Sequence, residues 1–249
     1  MDNKKRNEVI EVCLLAGKIM LQSGAETYRV EDTMMRMAAS FGMQKSQSYV
    51  TPTGIIFSIN GTESTNFVRI VDRSTNLQKV TLVNSISRRI SNKELTLAQA
   101  LSLLEEVETE SQAYSTITQV LAASIASGCF AIMFRGQWHD FLPALMIGGI
   151  GFYAMIYFHR VVEVRFFAEF LAAIIIGSLA IVSVWQGFGH ELDKIVIGSV
   201  MPLVPGLLIT NAVRDLMAGH LISGLSKGAE AFLTAFAIGA GVAVSFSLL

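Results

Sequence analysis

The chain has 249 residues, of which 52% are hydrophobic and only 16% charged, with a net charge of −1 and a mean hydropathy of +0.51. Soluble domains carry about a quarter charged residues, so this composition excludes an ordinary soluble globular protein and points to the bilayer. Neither end is basic enough for nucleic-acid binding.

The charges are uneven: 13 of the 19 Lys/Arg and 13 of the 20 Asp/Glu fall in residues 1–110. A neutral, water-compatible domain over 1–111 followed by a bilayer domain over 112–249 is therefore expected. Met1–Val12 has a charged start but no apolar stretch of the kind a signal peptide needs, so the first domain should stay in the cytosol. Cys13 and Cys129 are far apart and predict small buried fillers rather than a disulfide or a metal site.

Glu8–Gln22 reads as an amphipathic helix, with Val9, Val12/Cys13, Ala16 and Ile19/Met20 on one face. Ser23 and Glu26 have capping-box spacing and predict the start of a second helix. Val30, Met34, Met37/Ala38 and Phe41 point inward on it, and Gly42 suits its end. Between the two lies GAETYRVED, Gly24–Asp32. There Glu26 with Arg29, and Arg29 with Asp32, can pair on a solvated face; a contact surface for the membrane part is the competing use.

Within Tyr49–Asn60, the alternation of Ile55, Phe57 and Ile59 predicts a strand after a Thr51–Gly54 turn. Asn66–Asp72 predicts a second strand, with Gly61 in the connection. Leu77–Ile90 returns to helical spacing, and Thr96 with Gln99 caps a further helix carrying Leu97, Leu101 and Leu104. The expectation is a small α+β domain with two helices on either side of a short sheet. It is not an enzyme. The first histidine of the chain is His139, and there is no phosphate-binding Gly-rich loop with Lys and no Cys/His metal spacing. Glu26, Glu31 and Asp32 are carboxylates without a pattern that favours catalysis.

Five charge-free runs follow: Ile117–Phe134, Phe141–Phe158, Phe170–Gly189, Ile195–Val213 and Ala231–Leu249. Each approaches the ~20 residues that cross ~30 Å of hydrocarbon. Small residues recur in them (Ser124, Ser127 and Gly128; Gly148, Gly149 and Gly151; Ala235, Gly239 and Gly241), which predicts a close-packed bundle. The fold class expected is thus an α-helical integral membrane protein with five transmembrane helices, preceded by a small α+β cytosolic domain. Arg160, Arg165, Arg214 and Lys227 fall in loops on one side and only Arg135 and Lys194 on the other. The richer side is assigned to the cytosol, which leaves Leu249 outside. A second five-span unit would then insert in the opposite sense, as in an inverted-repeat transporter.

The fourth run carries two prolines, Pro202 and Pro205, followed by Gly206. Each proline removes a backbone donor, and in a membrane a freed carbonyl must meet protein, ions or water. Two in one span mark a candidate substrate pathway, with Asn211, Arg214 and Asp215 at helical spacing beyond them and Glu230 opposite. The plainer reading is a kinked span whose polar residues mark the water interface. Glu163, Arg165 and Glu169 belong to the same predicted cytosolic flank, where mixed charge would suit a zwitterion or a carboxylate. His139, His159, His190 and His220 lie in different loops or ends, and neither a metal nor a cofactor is expected.

GAETYRVED, the TPTGIIFSI strand, NSISRRI with LTLAQAL after it, and above all PLVPGLLITNAVRDLMAGHLISGLSKGAEA resemble the threonine/serine exporter (ThrE) family, most closely its shorter, YjjP-like members. The likeness runs from about Val9 to the end. It implies a secondary exporter of small hydrophilic solutes in the cytoplasmic (inner) membrane, taking threonine/serine-type amino acids or a C4-dicarboxylate such as succinate. It also implies a second small five-span, YjjB-like partner subunit, which longer family members carry fused; homo-oligomerisation stays open. On this reading Arg214 attracts a substrate carboxylate, and Asp215 or Glu230 carries a proton if export is proton-coupled. The rival is a membrane-anchored binding or regulatory protein whose N-terminal domain carries the function.

Overall fold

Apolar residues at helical spacing build the first helix, which ends in a glycine turn at Gly24. The computed structural model describes residues 3–59, 65–110, 114–162, 164 and 166–247. It divides into two compact units, Met1–Ala113 with Leu207–Gly228, and Tyr114–Gly206 with Ala229–Leu249. The C-terminal hairpin residues thus join the unit that begins the chain.

In the first unit, α1 (Asn3–Gln22) and α2 (Thr27–Ser40) are followed by strands β1 (Ser46–Thr51), β2 (Gly54–Ile59) and β3 (Asn66–Arg69), then α3 (Leu77–Ser91) and α4 (Leu97–Thr109). The strands form an antiparallel meander in the order β1-β2-β3, with Thr51 opposite Gly54 across a two-residue turn. Val9, Val12, Ala16 and Met20 of α1 are buried with Val30, Met34 and Met37 of α2 and Ile55 and Phe57 of β2, as the spacing predicts. Cys13 is buried there too, and burial pushes its thiol up to about 12, so it is inert.

The sheet has an additional strand, β1, paired with β2 from Ser46 to Thr51; apolar alternation does not mark it, because the segment is mostly polar and only Val50 is fully buried. The helix pairs do not sit on opposite sides of the sheet. Helices α1 and α2 contact both the strands and α3/α4, and so form the middle layer. Nor do Ser23 and Glu26 form a capping box. Ser23 instead closes α1: Gly24, at φ +85°, donates to Leu21 O, and the Ala25 N–H donates to Met20 O, 3.0 Å. This is the left-handed glycine end of a helix, so α2 can begin only at Thr27. The Thr96–Gln99 box forms in full. Arg29 pairs with Glu26, 3.5 Å, whereas Asp32 pairs with Arg36. Gly61 lies outside the described residues.

The second unit contains α5 (Thr116–Met133), α6 (Trp138–Val161), α7 (Phe167–Trp185), α8 (Leu192–Val200), a 3-10 turn (Met201–Leu203) and most of α10 (Leu221–Ser247). Among the described residues, four helices are long and apolar enough to cross a membrane: α5, α6, α7 and α10. A fifth crossing exists only if α8 with its turn and α9 (Gly206–Met217) count as one broken span. The fourth run is therefore two short helices, not one. Cys129 is exposed rather than a buried filler.

Small residues let these helices approach. A Cβ on Gly148 of α6 would lie 2.0 Å from Ser127 Oγ of α5, and one on Gly241 of α10 would lie 2.4 Å from the Phe170 carbonyl oxygen of α7. Asp140, buried near the start of α6, accepts the backbone N–H groups of Gln137, 3.1 Å, and of His190, 2.7 Å, and Glu191, 3.2 Å. It ties the loop before α8 to the start of α6.

Gly241→Ala must push α10 off a backbone atom that cannot rotate away. Overpacking of this kind costs about 1–3 kcal/mol, and thermal unfolding in detergent should show the loss. At Gly239 an added Cβ meets nothing within 4 Å, so Gly239→Ala should leave the transition unchanged or slightly raised.

Candidate functional site

Two features emerge where the sequence placed its candidate residues. The first is the break between α8 and α9. Pro202 sits within the 3-10 turn, and Val204 leaves it in extended geometry at φ −65°, ψ 129°. The Val204 N–H bonds Met201 O, 3.1 Å, and the Gly206 N–H reaches back only to Val204 O, 2.8 Å. Pro202 has no N–H to offer Gly198 O, four residues earlier, so the helical ladder stops at this point. Pro202 and Pro205 are half-buried, and Gly206 opens α9 in an exposed position.

The second lies wholly in the first unit. Helix α9 ends at Gly219, φ +88°, where the His220 N–H bonds Asp215 O, 2.9 Å. The chain reverses and begins α10, with Gly224 packed on Ala212 and Leu216. This hairpin holds the Gly24–Thr27 turn residue by residue. Asn211 Nδ2 donates to Gly24 O, 2.9 Å; Lys227 Nζ reaches Ala25 O, 3.4 Å; Arg214 pairs with Glu26, 2.5 Å; and Asp215 takes Thr27.

Asp215 and Lys227 are the centre of this clasp. Asp215 Oδ1 accepts the Thr27 N–H, 2.9 Å, and Oδ2 accepts Thr27 Oγ1–H, 2.9 Å, and Lys227 Nζ, 2.7 Å. Lys227 also donates to Thr27 Oγ1, 3.2 Å. The carboxylate side chain is 0% and the lysine 5% exposed. All three ammonium protons have acceptors, so the pair is closed. Thr27 is the first residue of α2, whose own N-cap, Glu26, makes no side-chain cap. Asp215 therefore caps α2 from 188 residues away, with its charge at the positive end of the helix.

Around this centre lie two half-open pairs. Arg214 is 54% exposed while Glu26 is 7%. Burial raises the Glu26 carboxyl, but its own backbone N–H, the Arg214 hydrogen bond and the charges of Arg29 and Arg214 outweigh it, so the net value lies below the ordinary range. Glu31 faces His220 at 3.8 Å and accepts the Val50 N–H, 2.8 Å. Burial dominates there, helped by Asp215 and opposed by the Val50 and His220 interactions, so its carboxyl is raised. Ser223 donates to Val50 O, 3.2 Å, so side chains occupy both backbone groups on that edge of β1. Beside it, Tyr49, Gly219, His220, Leu221 and Ile222 line a hollow of about 300 Å³.

The family described as "Putative threonine/serine exporter" (ThrE) matches residues 11–249. The chain belongs to the threonine/serine exporter family. Among its relatives, the "Probable succinate transporter subunit YjjP" of Klebsiella aerogenes is 24% identical, over 99% of this chain and 96% of its own length. The protein of the same name from Escherichia coli K12 is 23% identical, over 100% and 97%. The "Probable threonine/serine exporter" of Mycobacterium tuberculosis is 22% identical over 98% of this chain but 47% of itself. This chain thus spans about half that relative. No solved structure matches. Membership makes the chain a transport protein with transmembrane character rather than an enzyme.

For this exporter-family chain, the seven candidate pathway residues divide between the units. Asn211, Arg214 and Asp215 come together in the clasp; Pro202, Pro205, Gly206 and Glu230 belong to the second unit. Glu230 is half-buried on α10. Glu169 pairs with His159, 3.1 Å, while Glu163 and Arg165 lie outside the described residues. His139 and His190 do meet, ring centroids 5.4 Å apart, although no group of three or more metal-ligating side chains occurs among the described residues. Sequence reading missed Lys227 and Thr27. Lys227 was legible as a charge next to an apolar run, but its spacing of 12 from Asp215 fits no helical pair.

Removing one partner of a buried pair typically costs about 3–5 kcal/mol. Lys227→Met and Asp215→Ala should each show a loss of that order by chemical denaturation, and the double variant should lose less than the sum. The flanking carboxylates should show opposite pH behaviour. Glu26, with its lowered value, contributes stability above the ordinary glutamate range that disappears as pH falls through the folded value. Glu31, with its raised value, contributes stability at low pH that disappears as pH rises through the folded value. Unfolding midpoints over a pH series should therefore lose the Glu31 slope in Glu31→Gln and lose acid sensitivity in Glu26→Gln.

Proposed function

We propose that the chain is one subunit of a secondary exporter for small hydrophilic solutes, working with a second small five-span membrane subunit of the YjjB-like type. The observation that carries the reading is the proline-broken helix at Met201–Gly206 in a chain of an exporter family. Interrupted helices give a membrane protein backbone polar groups with which to meet a solute. Both relatives matched over nearly their full length are named for succinate. A C4-dicarboxylate therefore heads the candidates, ahead of threonine and serine.

The pathway comprises Pro202, Pro205 and Gly206 at the break, Asn211, Arg214 and Asp215 beyond it, and Glu230. Arg214 is the carboxylate contact: it is half exposed and its present partner is a carboxylate, Glu26, which a substrate can replace. For proton coupling, Glu230 is more accessible than the fully buried Asp215. The setting is the cytoplasmic (inner) membrane, with the N-terminal domain in the cytosol and the C-terminus on the outer side.

Efflux of labelled succinate, threonine and serine from vesicles containing both subunits tests this. Arg214→Gln should weaken export about tenfold or more, the worth of one charged hydrogen bond, and Pro205→Ala should slow it. Normal export by both variants would remove these residue assignments. Failure of the paired subunits to move any of the three solutes would overturn the transport reading itself.

A further inference from the structure

The α9–α10 hairpin is inside out. On α9 the buried side is Asn211, Ala212 and Asp215, while Ile209, Val213, Leu216 and Met217 are exposed. At 100° per residue these apolar positions share one face, opposite Asn211 and Asp215, with the exposed Thr210 and Arg214 along one border of it. The start of α10 repeats the arrangement: Ser223 and Lys227 are buried, and Leu221, Ile222 and Leu225 are 60–66% exposed. A helix in water does the reverse.

The outer face also continues along a membrane span. Leu221, Leu225, Phe232 and Phe236 fall on one stripe of α10, each 60–69% exposed, and the two phenylalanines stack at 6.4 Å. Helix α10 has 27 residues, about 40 Å at 1.5 Å per residue, against a hydrocarbon core of ~30 Å. Its apolar stripe begins in the first turn, among residues that loop-charge reasoning assigned to water. The clasp fits the same medium, because hydrocarbon tolerates a buried ion pair and helix terminus only when every polar group finds a partner within the protein.

We propose that the outer face of the α9–α10 hairpin, from Ile209 to Leu225, is a lipid-contacting surface. The hairpin joins the N-terminal domain to the bilayer by its apolar side and holds the Gly24–Thr27 turn by its polar side. The turn after α9, including His220, is then shielded at the membrane boundary rather than standing free in water.

The test does not depend on transport. In the full chain carrying Cys129→Ala, single variants Val213→Cys, Met217→Cys, Leu221→Cys and Leu225→Cys are labelled with an environment-sensitive fluorophore and reconstituted in phosphatidylcholine vesicles. Phe232→Cys serves as the bilayer reference and Glu105→Cys, exposed on α4, as the water reference. Lipids brominated along their acyl chains should quench the hairpin labels to the extent seen at Phe232→Cys, and aqueous iodide should quench them far less than at Glu105→Cys. Iodide quenching equal to the water reference would place the hairpin in solvent. Protection from both quenchers would mean that protein covers it. Either result overturns the proposal.

Discussion

A carboxylate and an ammonium with almost no access to solvent hold the first unit together across 188 residues of chain. Asp215 and Lys227 are not simply paired; they close on a turn whose free backbone groups they consume. Without them, α2 would begin with an uncapped N-terminus and the Ala25 carbonyl would lose its lysine. A buried pair is a poor source of stability in general, because desolvation offsets most of the Coulomb gain. Its value lies in specificity. Only one register of the hairpin puts an amide at Gly24, a cation at Ala25 and an anion at Thr27.

That arrangement has a consequence for folding. Residues 1–113 and 207–228 form one unit although the intervening stretch of 93 residues forms much of another. The entropy of closing so long a loop grows only slowly with its length. What changes is order, since the polar turn at Gly24–Thr27 can be satisfied only after the hairpin has been made. The unit boundary at Gly206–Leu207 falls directly after Pro205. Two missing amide hydrogens stop the α8 ladder, and the chain is free there to leave one unit and enter the other. The same prolines therefore serve architecture as well as any ligand.

Much of this was readable from residue pattern. Amphipathic spacing located α1 and its buried face, the Thr96–Gln99 box located α4, and the prolines located the break. The failures share a cause. Strand β1 was hidden because its partners are backbone and polar edges rather than a buried face. The start of α2 was misplaced because Ser23 fits a cap equally well as the end of α1, and the acceptor that decides the matter is Asp215, far along the chain. Lys227 counted as a loop charge because local spacing cannot reveal a cation whose anion arrives from the preceding helix. Asp140, three N–H groups deep in loop contacts, gives no sequence signal beyond its position before an apolar run.

The charges around the clasp are not equivalent, and their differences suggest which can move. Lys227 has three acceptors and Asp215 three donors, so a solute entering there would have to break a complete set before making one of its own. Arg214 is different. Its guanidinium has five donors, its partner Glu26 is one buried carboxylate, and more than half of the side chain faces outward. The guanidinium therefore keeps donors on its outward side while Glu26 holds the inward one. Glu31 and His220 stand in the same relation on the other flank, separated by 3.8 Å and short of a full hydrogen bond. The clasp thus has a closed centre in Asp215 and Lys227 and two partly open edges, Arg214 with Glu26 and His220 with Glu31.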